Sequence, residues 1–223
     1  MKKISLISIC CLTVLLLSSC SFAMKGKVTD IVSGQPVGSA TITIDLGNGK
    51  TREAKSNDQG SYRIKKDNAD QQITYTADGY DSFTLISKSD KSRDVYLVPT
   101  AEETARRITQ AMLDKNYETA YAYLHPFDQG FFTLDQFKEI QSDFENYLSL
   151  VKEFRVAETK DVESFRDNIL QKTFTGTKAV TVVLVIENGD IKQENTWDIN
   201  LMRMTDENNK EFWHWIFNRT SNS

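Results

Sequence analysis

Val95-Tyr96-Leu97-Val98-Pro99-Thr100-Ala101-Glu102-Glu103-Thr104-Ala105 is the stretch on which the reading of this chain turns. On its N-terminal side, apolar and polar residues alternate as in a strand. Pro99 disfavours helical backbone at Val98, and Thr100 followed by Glu103 is a capping box for a helix starting at Ala101. The two sides also differ in composition. Residues 24–98 carry 11 basic and 10 acidic groups with five aromatics, whereas residues 100–223 carry 14 and 21 with seventeen. The spacing predicts two domains, 24–99 and 100–223, joined without a flexible linker.

Moving towards the N-terminus, short runs rich in β-branched and aromatic residues predict seven strands at 27–32, 40–46, 51–56, 61–65, 72–76, 82–86 and 94–98. Turn chemistry separates them: Gly34-Gln35-Pro36, Asn48-Gly49, Asp58-Gln59-Gly60 and Asp78-Gly79. Strands at this spacing indicate an all-β sandwich. Moving towards the C-terminus, Ala101, Ala105, Ile108 and Met112 share a helix face, as do Tyr117, Ala120, Tyr121 and Leu124. Thr133 with Gln136 caps another helix, along which Leu134, Phe137, Ile140, Phe144 and Leu148 recur. Strands are expected at 154–158, 179–186, 191–203 and 212–218, with Asn188-Gly189 turning the second into the third. Helices before long antiparallel strands predict an α+β domain whose helices cover a curved sheet.

Three resemblances attach to these motifs. Gly26-Lys27-Val28-Thr29-Asp30, Gly34-Gln35-Pro36-Val37, Ser56-Asn57-Asp58-Gln59-Gly60-Ser61-Tyr62 and Ala77-Asp78-Gly79-Tyr80 resemble the carboxypeptidase regulatory-like domain, a transthyretin-like sandwich. Ser56 and Asn57 stand where Thr and Asp are commonest. The resemblance implies a generally non-catalytic module; the expected role is a binding or assembly one, with the sandwich as spacer and brace and the C-terminal domain as the recognition module. Residues 113–121, the Thr133 helix and the terminal Trp-rich strand resemble the nuclear transport factor 2-like cone fold of small lipoproteins, which implies either a binding role or a pocket enzyme.

The third resemblance lies at the start of the chain. Lys2 and Lys3, then a predominantly apolar run to Leu17, have the layout of a secretory signal over residues 1–19. Leu17-Ser18-Ser19-Cys20 resembles the bacterial lipobox, which implies lipidation at Cys20 and residues 20–23 as a short linker. It further implies a protein anchored in the cell envelope, in a Gram-negative cell at the outer membrane facing the periplasm. Cys10 and Cys11 would leave with the signal, so the mature chain has no internal disulfide. It would carry 25 basic and 31 acidic groups, a balance that argues against sequence-independent nucleic-acid binding.

No zinc motif, phosphate loop or nucleophile elbow appears, so no metal or cofactor is expected and the chain reads as non-enzymatic. Asp161, Glu163 and Asp167 read as an acidic surface loop. Alternation through the Asn188-Gly189 hairpin puts Val180, Val182, Leu184, Ile186, Trp197, Ile199 and Leu201 on one face, to be covered by helices. If Leu201 faces His214, the outward face gains Trp213, Trp215 and Phe217 beside Met202. Four such residues are too apolar for a wet face, so an envelope protein, a second copy, the sandwich or loops of the same domain should cover them. The alternative is an isomerase- or dehydratase-like enzyme with His214 or Asp198 as base, or a carrier of an apolar ligand in the same chamber.

Overall fold

The computed structural model describes residues 22–67, 69–88, 90–167, 171–189, 191–206 and 208–217. The expected signal segment and Cys20 lie outside them. Two compact units divide between Leu97 and Val98.

The first unit packs two sheets. One has the order β4-β1-β7, built from β1 (Phe22–Asp30), β4 (Ser61–Lys66) and β7 (Val95–Leu97). The other has the order β3-β2-β5-β6, from β2 (Thr41–Gly47), β3 (Lys50–Lys55), β5 (Gln71–Thr76) and β6 (Phe83–Ser87). Period-2 alternation in β2, β4 and β5 sends Ile42, Ile44, Tyr62, Ile64, Ile73 and Tyr75 into one core with Met24, Val28 and Leu97. Asn48 (φ 54°) and Gly49 (φ 72°) make the hairpin turn between β2 and β3. The Tyr62 and Tyr75 hydroxyls lie 2.9 Å apart, and Tyr62 donates to the Arg93 carbonyl at 2.7 Å. Burial and the neighbouring phenol push the Tyr62 pKa upward. β1 starts at Phe22, five residues before its expected start and inside the segment read as linker. There Gly26 passes so close to the 92–93 segment that a Cβ would sit 1.8 Å from the Arg93 carbonyl oxygen.

The second unit begins with α1 (Ala101–Leu113), α2 (Tyr117–Ala122), α3 (Pro126–Gln129), α4 (Leu134–Ser142) and α5 (Glu145–Leu148). An antiparallel meander follows: β8 (Val151–Asp167), β9 (Lys172–Asn188), β10 (Ile191–Thr205) and β11 (Glu211–Ile216). The Thr100 hydroxyl caps α1 by accepting from the Glu103 amide at 3.1 Å. The Glu103 carboxylate turns to Arg106 and Arg107 instead of completing the box. The box at Thr133 and Gln136 is complete.

The expected fold class is corrected here. Among the described residues 53% are strand and 19% helix, in three sheets, and the α+β cone of helices on a curved sheet does not describe them. Two local causes explain the error. The last helix expected from Leu134 to Leu148 breaks after Ser142, leaving a single turn at α5. β8 runs 17 residues where five were expected: a register shift interrupts its start between Val151 and Glu153, and residues 159–167, though paired with β9 in one unbroken register, are mostly exposed and rich in charge, so they lack the apolar alternation that marks a strand. The acidic run Asp161, Glu163 and Asp167 is therefore strand, and Asp161 pairs with Lys178 at 2.7 Å.

Candidate functional site

In the first unit, four motifs far apart in sequence converge on one end of the sandwich. β1 ends at Asp30, a buried carboxylate whose Oδ1 accepts from the amides of Val32 (2.9 Å) and Ser33 (2.7 Å). Its Oδ2 accepts from the Tyr80 hydroxyl at 2.9 Å, which fixes the 77–80 turn to the 31–35 turn. Ser56 does the same for the 37–40 loop. Its buried hydroxyl donates to the Val37 carbonyl (2.7 Å) and accepts from the Ala40 amide (2.9 Å), while its carbonyl accepts from the Ser39 amide. Ser39 is held at φ 58°, a left-handed conformation that costs a non-glycine residue energy and persists only where the surroundings impose it.

Between these turns lies a groove of about 540 Å³. Residues 36–39 form one wall, and Ala77, Asp78 and Tyr80 form the other. Its floor is a row across three strands: Thr41 pairs directly with Lys55 on β3 and with Thr76 on β5. Directly paired residues share a sheet face, so the three side chains stand together on the face opposite the core. Lys55 and Asp78 make no ion pair among the described residues. A second groove, about 390 Å³, lies beside Asp45, Asp67 and Asp70 near the start of β1. Next to it the buried Lys66 ammonium donates to the carbonyls of Asp67, Ala69 and Lys88. Among the described residues, no group of three His, Cys, Asp or Glu is disposed to hold a metal ion.

The candidate residues of the second unit lie elsewhere than expected. The β9–β10 pairing is Ile191 with Asn188 and Trp197 with Val182, two residues from the expected register, which leaves faces unchanged. The β10–β11 pairing is Leu201 with Trp215 and Met202 with His214, one residue from the expected register, which exchanges the faces of β11. Trp215 therefore packs with Trp197 (5.8 Å between centroids), Phe137 of α4 (6.2 Å) and Phe217 (5.2 Å). Trp213, Trp215 and Phe217 are all buried, and Met202 is half-buried. They do not form an exposed partner surface. On the far side of β11, Phe212, His214 and Ile216 are buried as well. The 123–125 segment pairs with the free edge of β11: Trp215 donates to the Tyr123 carbonyl at 2.6 Å, and His125 to the Trp215 carbonyl at 2.8 Å. Cover comes from the same unit, with Phe137 of α4 against Trp215 and Phe217 and the 123–125 segment along the edge of β11.

The two residues offered as bases are also accounted for. Asp198 is exposed and accepts from the Thr181 hydroxyl at 2.6 Å. His214 is buried, with Phe212 4.0 Å away and His125 6.4 Å away by ring centroids. Burial lowers the pKa of both histidines. His125, which also feels His214 and Lys172, is pushed down to about 4. The His125 side chain serves its own loop, where Nδ1 accepts from the Phe127 amide at 3.0 Å and caps α3.

In the sequence Pro36 and Asp78 read as turn formers and Thr41, Lys55 and Thr76 as strand residues, none of them as a site. The available signal was that the motifs carrying the family resemblance contain the groove walls.

Residues 23–108 match the family model of the carboxypeptidase regulatory-like domain. The chain thus has a domain of this kind at its N-terminal end. No functionally curated protein matches it. Among solved structures, it is similar to a candidate carbohydrate-binding protein from Bacteroides uniformis, with 10% identity, 82% of this chain and 99% of that one covered, and a TM-score of 0.31. A DUF3823 family protein from Parabacteroides merdae gives 8% identity, 81% and 79% coverage and a TM-score of 0.28. A candidate membrane-associated protein of unknown function from Bacteroides fragilis gives 15%, 75% and 60%, with a TM-score of 0.27. At these scores the similarity does not establish a shared arrangement. Among the described residues, no helix is long and apolar enough to cross a membrane.

Proposed function

We propose that this protein is a lipid-anchored component of the cell envelope that binds its ligand without transforming it, and that the sandwich groove is its binding site. The observation that carries the reading is a pre-organised recess. Asp30 and Ser56 lock both walls from beneath, a strained Ser39 lies in one of them, and hydroxyls, one ammonium and one carboxylate are presented between. Rigid walls save the ordering cost that binding otherwise incurs. These groups suit recognition better than catalysis, because Ser39, Thr41 and Thr76 have no histidine base beside them in the groove lining.

The anchor is Cys20, with the bilayer as partner. Only Ser21 separates it from β1, so about 7 Å of chain joins the acylated residue to the sandwich. More than one acyl chain makes such attachment stable.

The test uses the detergent-solubilised mature chain and isolated envelope fragments stripped of lipid. The wild-type chain should sediment with the fragments, and Ser39→Trp, which fills the groove, should remain in the supernatant. Equal sedimentation of both would refute the groove as the site. In cells, Cys20→Ser should abolish incorporation of labelled palmitate, and continued labelling would refute the anchor.

A further inference from the structure

The geometry points to a neutral, polyhydroxylated ligand, a short oligosaccharide of two or three rings, bound at the end of the sandwich farthest from the membrane. This rests on the groove and the Cys20 anchor proposed above.

The position follows from β1. Its first residue, Phe22, pairs with Lys66 and adjoins the anchor; its last, Asp30, holds Tyr80 in the groove wall. Nine extended residues put about 26 Å between these two ends. A lipid headgroup of the anchoring bilayer lies at the wrong end, so the ligand comes from the space beyond it.

The ligand's chemistry follows from the floor and walls. β2 lies between β3 and β5, so the Thr41 backbone is already paired on both sides and cannot receive an added peptide strand. At the centre of the floor recognition falls to side chains, an open backbone edge of the sheet being that of β3, beyond Lys55. The Lys55–Thr41–Thr76 row is about 10 Å long, two strand spacings. Threonine and serine hydroxyls both donate and accept, Lys55 only donates, and ionised Asp78 only accepts. A sugar hydroxyl matches each of these in turn. A phosphate would meet a single ammonium with a carboxylate across from it, an arrangement that repels as much as it attracts. Pro36 and Ala77 add apolar surface for the C–H faces of a ring. The volume, about 540 Å³, is in the range of small-molecule sites.

The experiment is a neutral-glycan array probed with the solubilised mature chain, then calorimetry with the best-retained oligosaccharide, inorganic phosphate and N-acetyl-trialanine. At least one neutral glycan should bind, and phosphate and the peptide should not. The double variant Thr41→Val with Thr76→Val removes two hydroxyls while keeping strand-favouring residues, and should weaken glycan binding at least about tenfold. Circular dichroism confirms that the variant is folded. Retention of no neutral glycan, binding of phosphate or peptide alone, or unchanged affinity in the double variant would each overturn the ligand class. Envelope sedimentation that persists, is lost in Ser39→Trp and resists competition by neutral glycans would overturn this inference alone. Sedimentation indifferent to Ser39→Trp would overturn the groove itself.

Discussion

Replacing Ser56 with alanine removes one oxygen, and the structure says what that oxygen supports. Ala40 is fully buried and Val37 nearly so, and the Ser56 hydroxyl serves the amide of the first and the carbonyl of the second. Each hydrogen bond contributes about 0.5–1.5 kcal/mol net, and a buried polar group stranded without its partner costs about 1–3 kcal/mol. Two stranded groups therefore put Ser56→Ala at about 2–4 kcal/mol of destabilisation, allowing for partial relaxation. The loss should concentrate in the 37–40 loop, which also loses what holds Ser39 in its left-handed conformation. Hydrogen exchange read by mass spectrometry is the assay, because the Ala40 amide reports local opening directly. An effect of about 2–4 kcal/mol speeds its exchange by roughly 30- to 1000-fold. Ser56→Thr keeps the hydroxyl and should exchange at close to the wild-type rate. If Ala40 exchange in Ser56→Ala rises less than about threefold, the hydroxyl is not the brace described here and the groove is not pre-organised through it.

Three further outcomes are expected. Gly26→Ala drives a Cβ into the Arg93 carbonyl and should cost more than about 3 kcal/mol in urea unfolding, whereas Gly130→Ala, with its nearest contact at 3.3 Å, should cost much less. Trp215→Ala should destabilise the second unit by about 3–5 kcal/mol by tryptophan fluorescence, the other tryptophans being Trp197 and Trp213; sedimentation velocity should show the same oligomeric state as wild type. His125 should impose a pH dependence. It gains a proton near 6.5 when unfolded and near 4 when folded, so between these values the unfolded chain holds more protons and stability rises with pH. The contribution is present above about pH 6.5 and is lost as pH falls towards 4, by up to about 3 kcal/mol. His125→Asn, which keeps an acceptor for the α3 cap, should flatten that part of the profile in chemical denaturation across about pH 4–7.

The sequence is most legible where local chemistry and tertiary need agree. The junction at Pro99 and Thr100 is written in backbone preference and capping, and α1 starts at Ala101 as that reading expects. The Asn48-Gly49 turn is similarly local. Legibility fails where a long-range pairing sets the outcome. The faces of β11 hang on a one-residue register choice made by β10 and by the 123–125 segment, and no side chain near Trp213 announces it. β8 is hidden in its second half because Lys160, Asp161, Glu163 and Arg166 stand exposed along it and leave no apolar alternation, although its pairing with β9 is regular there. The groove is half visible. Asn57, Gly60 and Gly79 read as turns from their residue types alone. That Ser56 and Asp30 pull those turns around one recess is a contact between residues 16 to 50 positions apart, and only the fold reveals it.

Amide chemical-shift mapping of the full chain in detergent, titrated with saccharide released from the envelope, tests the central claim most directly. The account predicts saturable shifts at Gly38, Ser39, Thr41, Lys55 and Thr76–Asp78 that vanish in Ser39→Trp. Shifts centred instead on β9–β11, led by the Trp213 indole, would contradict it.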